Sequence, residues 1–357
     1  MSISQLSLTD FRNLQSTTLD FHQSINLISG DNGSGKTSLL EAIFVLCQAH
    51  SFRHHQLKKA IKHSKNNFLL FGRFSDYKAG LSKSDKKLEI RVDGEDVKRR
   101  SILVSKTPIS IVNADSFNLV TGSPQERRRY IDWCLFHVEH SYAENWLKFR
   151  HALKQRNQLL KTRRDLYLLD YWNEHLIQPS LVLQSLRVSA CKKITQLLRG
   201  RMSDLLSDMK ITVSYKQGWN EDISLLESLE KNKERDIRSG FTNTGIHRDN
   251  LEILADGKSA AEVLSRGQLK RLAFGLIVAS LRLVGSASSR PIILLIDDLH
   301  AEMDELGQQK AYEELLSIDL QLFITNIDNQ IPKPLHGKDF KMFHVEHGKI
   351  NLRKPNQ

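Results

Sequence analysis

Cysteine is scarce in this chain, with three residues in 357, and Cys47, Cys134 and Cys191 stand far apart with no CxxC pair. That spacing excludes a disulfide framework and a zinc finger, both of which need clustered thiols. Long apolar runs are missing too: no stretch approaches the ~18 residues a membrane helix requires. Residues 1–10 carry neither a basic segment nor an apolar core, so no secretory leader is expected. The cytoplasm is the expected compartment, without a membrane partner. No internal repeat or low-complexity tract stands out. Hydrophobic residues make up 40% and charged residues 26%, ordinary values for a globular chain. A length of 357 residues suffices for about two domains.

Positive charge is abundant and unevenly placed. The net charge is +11, yet residues 51–110 hold 15 Lys/Arg against 6 Asp/Glu and residues 125–210 hold 16 against 9. These two segments carry the whole excess, which points to a face for a polyanion. Apolar spacing divides the chain into three parts. Residues 1–124 read as strands at 3–8, 24–29 and within 66–112, with a helix from Lys36 to about Cys47. Residues 125–210 switch to helical period, with Trp146, Phe149, Leu153 and Leu160 on one stripe and Leu183, Leu186, Ala190, Ile194 and Leu197 on another. Pro179 is expected to separate the two helices of this arm. Residues 211–357 return to alternating strand and helix.

Gly30-Asp31-Asn32-Gly33-Ser34-Gly35-Lys36-Thr37 fits the phosphate-loop pattern in full, after an apolar strand and at the start of a helix. Glycines let successive N–H groups curl inward, and the helix start adds its positive dipole end. Lys36 is placed to reach the β- and γ-phosphates of ATP, and the Thr37 hydroxyl to ligate Mg²⁺. A second apolar run, Ile292-Ile293-Leu294-Leu295-Ile296, ends in Asp297-Asp298. Carboxylates at the tip of a buried parallel strand lie where ligands bind in open α/β sheets. Asp297 is read as the Mg²⁺ carboxylate and Asp298 as the catalytic residue that deprotonates or orients water. Ser265-Arg266-Gly267-Gln268 opens a helix 32 residues before Asp297, with Ser265 as its cap. Glu41, on the helix after the loop, reads as a surface residue, and the scattered histidines read as polar surface residues rather than metal ligands.

Together these motifs resemble the ATPase head of the ABC/SMC superfamily, in which Ser-Gly-Gly-Gln is the usual signature. In detail they are similar to the RecF family. Phe11-Arg12-Asn13, the phosphate loop, Gly122-Ser123-Pro124 with Arg127-Arg128-Arg129 and Asp132, and Leu153-Lys154-Gln155-Arg156-Asn157 resemble its blocks. Gly245-Ile246-His247-Arg248-Asp249 and Asp297-Asp298 with Glu302 and Asp304 continue the series in family order. Four positions depart from the pattern: Ile246 replaces a proline, Asn113-Ala114-Asp115 a proline-glutamate pair, Ser110 a glutamine, and Thr325 the switch histidine of transporter ATPases.

The resemblance implies an α/β fold: an ABC-type P-loop ATPase head of mixed β-sheet and helices with an inserted α-helical arm. The head's N-terminal part with the phosphate loop and a β-subdomain is expected at 1–124, the arm at 125–210, and the head's C-terminal part at 211–357. ATP and Mg²⁺ are the implied cofactors, with Arg12, Asn13, Ser38, Ser265, Arg266, Gly267 and Gln268 joining the loop around the nucleotide. Two copies are expected to pair on ATP as a clamp on DNA, single-stranded, duplex or gapped, with slow, DNA-stimulated hydrolysis. The task implied is recombinational repair and SOS induction, with RecR as partner and RecO and RecA beside it. The DNA face is expected on Arg53, Lys58, Lys59, Lys62 and Lys65, and on Lys154, Arg156, Lys161, Arg163 and Arg164. A transporter ATPase subunit is the rival reading. The step of 228 positions from Thr37 to Ser265, with a basic helical arm inside it, speaks against it.

Overall fold

Parallel strands covered on both faces read as largely apolar runs, and three such strands lie side by side in a computed structural model of the chain. The structure describes residues 2–200, 206, 209–287, 291–299, 303–327 and 330–353. Ile25–Ser29, Leu320–Asn326 and Ile292–Asp297 are buried along nearly their whole length and pair in parallel. They form the middle of a six-stranded sheet, extended by Ile109–Val112 on one side and by Lys341–Glu346 and Lys349–Arg353 on the other. The last two form the antiparallel edge.

A second six-stranded sheet is antiparallel, in the order Thr17–Asp20, Ile3–Thr9, Asn67–Phe74, Lys78–Ser84, Leu88–Val92, Glu95–Asp96. Its last hairpin turns at Asp93 and Gly94, at φ 53° and 90°, as a primed turn demands. The helix Lys36–Gln48 buries Leu39, Leu40, Ile43, Phe44 and Leu46 in one core shared by both sheets. Gln321 stitches the sheets together: its amide accepts from Ile3 N and donates to Ile3 O and His22 O, each at 2.8 Å. Residues 1–116 and 288–357 make up this unit.

Residues 117–287 form a second unit. The helices His140–Thr162 and Leu169–Gly200 run antiparallel, as the contacts of Trp146 with Arg187 and of His151 with Trp172 require. Pro124–Val138, Arg266–Ala287 and the three-stranded sheet of Ile211–Lys216, Asn250–Ala255 and Lys258–Ser259 complete it. Tyr130 Oη donates to Leu276 O at 2.7 Å, and Thr195 Oγ1 bonds Val213 O at 3.1 Å. Strands and helix from 211–287 therefore share a core with the arm, a division that differs from boundaries at 124 and 210. Apolar spacing marks elements, not which elements share a core.

Two expectations for the arm are corrected. Pro179 does not separate two helices: it lies inside the 32-residue helix Leu169–Gly200, which continues through it with Leu176, Pro179, Ser180 and Leu183 all buried. Tertiary burial outweighs the lost backbone bond. Arg156 is not on a DNA face, because it is fully buried. Its guanidinium donates to Asp236 at 2.8 Å, Thr242 at 2.7 Å and Asn173 at 2.8 Å. Arg187, equally buried, joins Asp132 at 2.6 Å, Asp249 at 2.5 Å and Ile246 O at 3.0 Å. The sequence blocks at 122–132 and 245–249 thus meet through one arginine. Arg127 donates to Gly122 O at 2.8 Å and Asn250 at 2.9 Å, and Arg128 to Asp249 O. Among the described residues, no helix is long and apolar enough to cross a membrane.

Removing Arg156 strands a buried Asp236. Arg156→Met is expected to lower unfolding free energy by about 3–5 kcal/mol in urea denaturation. Lys154→Ala, on the exposed side of the same helix, should change it by less than about 0.5 kcal/mol.

Candidate nucleotide-binding site

Strand geometry brings the phosphate loop to the C-terminal edge of the parallel sheet. The loop leaves Ile25–Ser29 at Gly30, whose φ of 144° is closed to other residues and whose added Cβ would strike the Val345 carbonyl. Gly35, at φ 124°, hands the chain to the helix Lys36–Gln48, and a Cβ there would meet Leu14 Cδ2 at 2.8 Å. Asn13 braces the curl from outside, donating to Gly33 O at 3.2 Å and accepting from Ser38 Oγ at 2.9 Å. Gly348 N closes it, donating to Ser34 O at 2.9 Å.

Lys36 is buried, and its ammonium donates to Gly30 O at 2.5 Å and Asp31 O at 3.0 Å. Burial pushes its pKa down while Asp297, Asp298 and Asp31 pull it back up. Ser34 Oγ is buried and has no hydrogen-bond partner among the described residues. A curled backbone, an ammonium folded back on its own loop and an orphaned hydroxyl fit a chain of phosphates.

Opposite stand the carboxylates. Asp297 ends its strand 2.9 and 3.0 Å from Thr37 Oγ1, and Thr325 Oγ1 lies 2.9 Å from its Oδ1. Asp298 follows at φ 60°. Hydroxyl and carboxylate oxygens at the loop's mouth are the donor set a hard divalent cation takes. Together with Arg12, Arg53 and Lys62 these groups line a cleft of about 930 Å³.

Glu41 corrects the reading of it as a surface residue. It is fully buried and holds Arg12 in a fork at 2.9 and 2.6 Å, Ser51 Oγ at 2.6 Å and Arg53 at 3.4 Å. Arg12 also donates to Lys59 O at 2.6 Å, so the basic segment is bolted to the loop's own helix. A lone carboxylate inside the apolar run 39–47 was the available signal, since such a group is buried only with a partner. Ser51 and Gly348 carried no such mark.

The basic residues separate into classes. Arg53 and Lys62 line the cleft, while Lys58, Lys59, Lys62 and Lys65 surround a shallow hollow of about 370 Å³. Lys58 pairs with Asp85 at 3.2 Å and Lys65 with the half-buried Asp10 at 3.7 Å, and both lysines are exposed. On the arm, Lys154, Lys161, Arg163 and Arg164 are exposed.

In the helical unit, Ser265 and Gln268 form a reciprocal cap. Ser265 Oγ accepts from Gln268 N at 3.3 Å, and Gln268 Oε1 accepts from Ser265 N at 2.9 Å. Ser265, Arg266 and Gly267 are exposed, and a Cβ on Gly267 would meet open space. Asp304 caps the helix Glu305–Leu316 through Gly307 N at 3.1 Å, while Glu302 lies outside the described residues.

Residues 2–132 match the family described as RecF/RecN/SMC N terminal domain. A DNA replication and repair protein RecF of Idiomarina loihiensis is 37% identical over 98% of this chain and 100% of its own. Its counterpart in Shewanella oneidensis is 34% identical over 99% of both chains. A solved structure of the recombination mediator protein RecF-ATP in the RecFOR pathway is similar at a TM-score of 0.87 and 24% identity, over 99% of this chain and 98% of the other. An SmcHead bound to the C-winged helix domain of ScpA is similar at a TM-score of 0.58 and 13% identity, over 99% and 97%. At those identities the two structures attest the fold: an ABC-type P-loop ATPase head.

Removing the Glu41 carboxylate leaves Arg12 and Arg53 without their anchor. Glu41→Ala is expected to cost about 3–5 kcal/mol of stability in urea denaturation. In the folded fraction, ATP affinity should fall with it. Unchanged values of both would mean that the fork holds nothing in place.

Proposed function

The chain belongs to the RecF family of DNA replication and repair proteins, and from that premise we propose that it is an ATP-driven DNA clamp with slow hydrolysis. The observation that carries the proposal is the convergence of Thr37 and Asp297, 2.9 Å apart, at the mouth of the phosphate loop beside Lys36. Lys36 takes the β- and γ-phosphates and leaves its carbonyl partners to do so. Backbone N–H groups of residues 33–37 and the Ser34 hydroxyl hold the remaining phosphate oxygens. Thr37 and Asp297 hold Mg²⁺, which when bound neutralises charge developing on the transferred phosphoryl group. Asp298 orients the attacking water and takes its proton. Arg12 and Asn13 shape the wall on which the nucleotide rests.

Ser265, Arg266, Gly267 and Gln268 offer an exposed helix start, a place where backbone N–H groups and the dipole meet an anion. Following the superfamily's architecture, this start completes the nucleotide site of a second copy. The γ-phosphate is then the group both copies share, and pairing depends on it. Lys58, Lys59 and Lys65 in one unit and Lys154, Lys161, Arg163 and Arg164 in the other are the DNA contacts, acting through phosphates and hence without sequence preference. The similarity to a RecF structure described within the RecFOR pathway supports RecR and RecO as partners, with recombinase loading at gapped DNA as the task.

Sedimentation with and without ATP tests the pairing. Lys36→Ala should lose ATP binding while keeping its fold. Ser265→Arg should bind ATP as a single copy but fail to pair. Asp298→Asn should form an ATP-bound pair of longer lifetime, and a lifetime equal to wild type would contradict its catalytic role. The DNA face is tested separately, on Lys58, Lys59 and Lys65, because Lys62 lines the nucleotide cleft. Neutralising all three should reduce the slope of log K against log salt by ~0.9 for each lost contact, with ATP affinity unchanged.

A further inference from the structure

Thr325 has no part in the mechanism above, yet it touches both acidic residues. It lies near the end of the strand Leu320–Asn326 and is fully buried. Parallel register sets it directly opposite Asp297. Its Oγ1 is 2.9 Å from Asp297 Oδ1 and 3.0 Å from Asp298 N. A hydroxyl has one proton and two lone pairs, while a backbone N–H can only donate. The Asp298 contact therefore uses a lone pair, and the Thr325 proton goes to Asp297; the Ile296 carbonyl, at 3.5 Å, is the poorer alternative. Asp298 itself sits at φ 60°, a region that aspartate tolerates but few other side chains do. Its N–H lies one residue past the last ladder pair, Asp297 with Thr325, and the hydroxyl supplies the partner it needs.

We propose that Thr325 is a positioning residue that couples metal loading to water activation. One hydroxyl fixes the metal-binding carboxylate of Asp297 and, at the same time, the left-handed turn that aims Asp298. The proposal rests on the roles given above to those two aspartates. Core packing does not explain the choice of threonine, since valine has the same branching and nearly the same volume. Unlike valine, the threonine hydroxyl serves an acceptor on one side and a donor on the other. Serine keeps that hydroxyl and drops the methyl group, so the two variants separate hydrogen bonding from packing.

The test is steady-state ATPase activity at saturating ATP across a Mg²⁺ titration, together with ATP affinity in EDTA. Thr325→Val should lower kcat about tenfold or more, since general-base catalysis is worth ~10²–10⁴ when the base is fully placed. Half-maximal activity should need several-fold more Mg²⁺, while ATP affinity in EDTA, set by the loop, stays within about twofold. Thr325→Ser should restore both the rate and the Mg²⁺ requirement. Wild-type kcat and Mg²⁺ dependence in Thr325→Val would overturn the proposal, as would a serine variant as impaired as the valine one. Asp298→Asn, measured alongside, separates the two levels. If it turns over like wild type, the reading of the site fails. If it is slow while Thr325→Val is normal, only the coupling fails. Should Thr325→Val lose ATP binding, Thr325→Ala removes the same hydroxyl and is judged by the same outcomes.

Discussion

Everything at the nucleotide site depends on three parallel strands ending at one level. Ile25–Ser29 delivers the phosphate loop, Ile292–Asp297 delivers the carboxylates, and Leu320–Asn326, between them, delivers Thr325. In-register pairing sets Asp297 beside Thr325 and Thr325 beside Ile28, so the Asp297 and Thr325 side chains meet without any loop having to reach. The cost of that arrangement is three strands buried on both faces, which is why Leu27-Ile28, Ile292–Ile296 and Leu322–Ile324 are apolar. Polar groups are concentrated where the ladder ends.

The chain uses charge in two ways. Arg156, Arg187, Arg127, Arg128 and the Arg12–Glu41 fork are committed to internal partners, where they join segments distant in sequence. The lysines of residues 58–65 and the exposed cations of the arm remain at the surface. The number of arginines therefore overstates the cations open to a polyanion, while the net charge of +11 is little affected, because Asp132, Asp236, Asp249 and Glu41 cancel most of these arginines. The Arg12 fork has a further consequence. Its Nη1 holds the Lys59 carbonyl at 2.6 Å, so the basic segment and the phosphate-loop helix share one buried anchor.

The sequence displayed the site more clearly than its surroundings. The phosphate loop, the strand ending in Asp297-Asp298 and the cap at Ser265 were legible because each is a local pattern with its own backbone demand. Glu41 was misread because its partners come from residues 12, 51 and 53, which no local window contains. Arg156 was misread for the same reason: Asp236 and Thr242 lie 80 and 86 residues away. Pro179 shows the opposite failure, a strong local signal outweighed by burial on a long helix. The membership of residues 211–287 in the arm's unit was invisible, since apolar period marks an element's buried face and not the element it faces.

The central claim is that a complete site joins the phosphate loop of one copy to the exposed cap of another. Mixing Lys36→Ala with Ser265→Arg tests it most directly, because each variant alone lacks half of every site. A mixed pair would contain one site with both Lys36 and Ser265 intact. With random pairing, ATPase activity should recover to about a quarter of wild type, half of the pairs being mixed and each having one working site in two. Activity no greater than the two variants give separately would contradict the shared site.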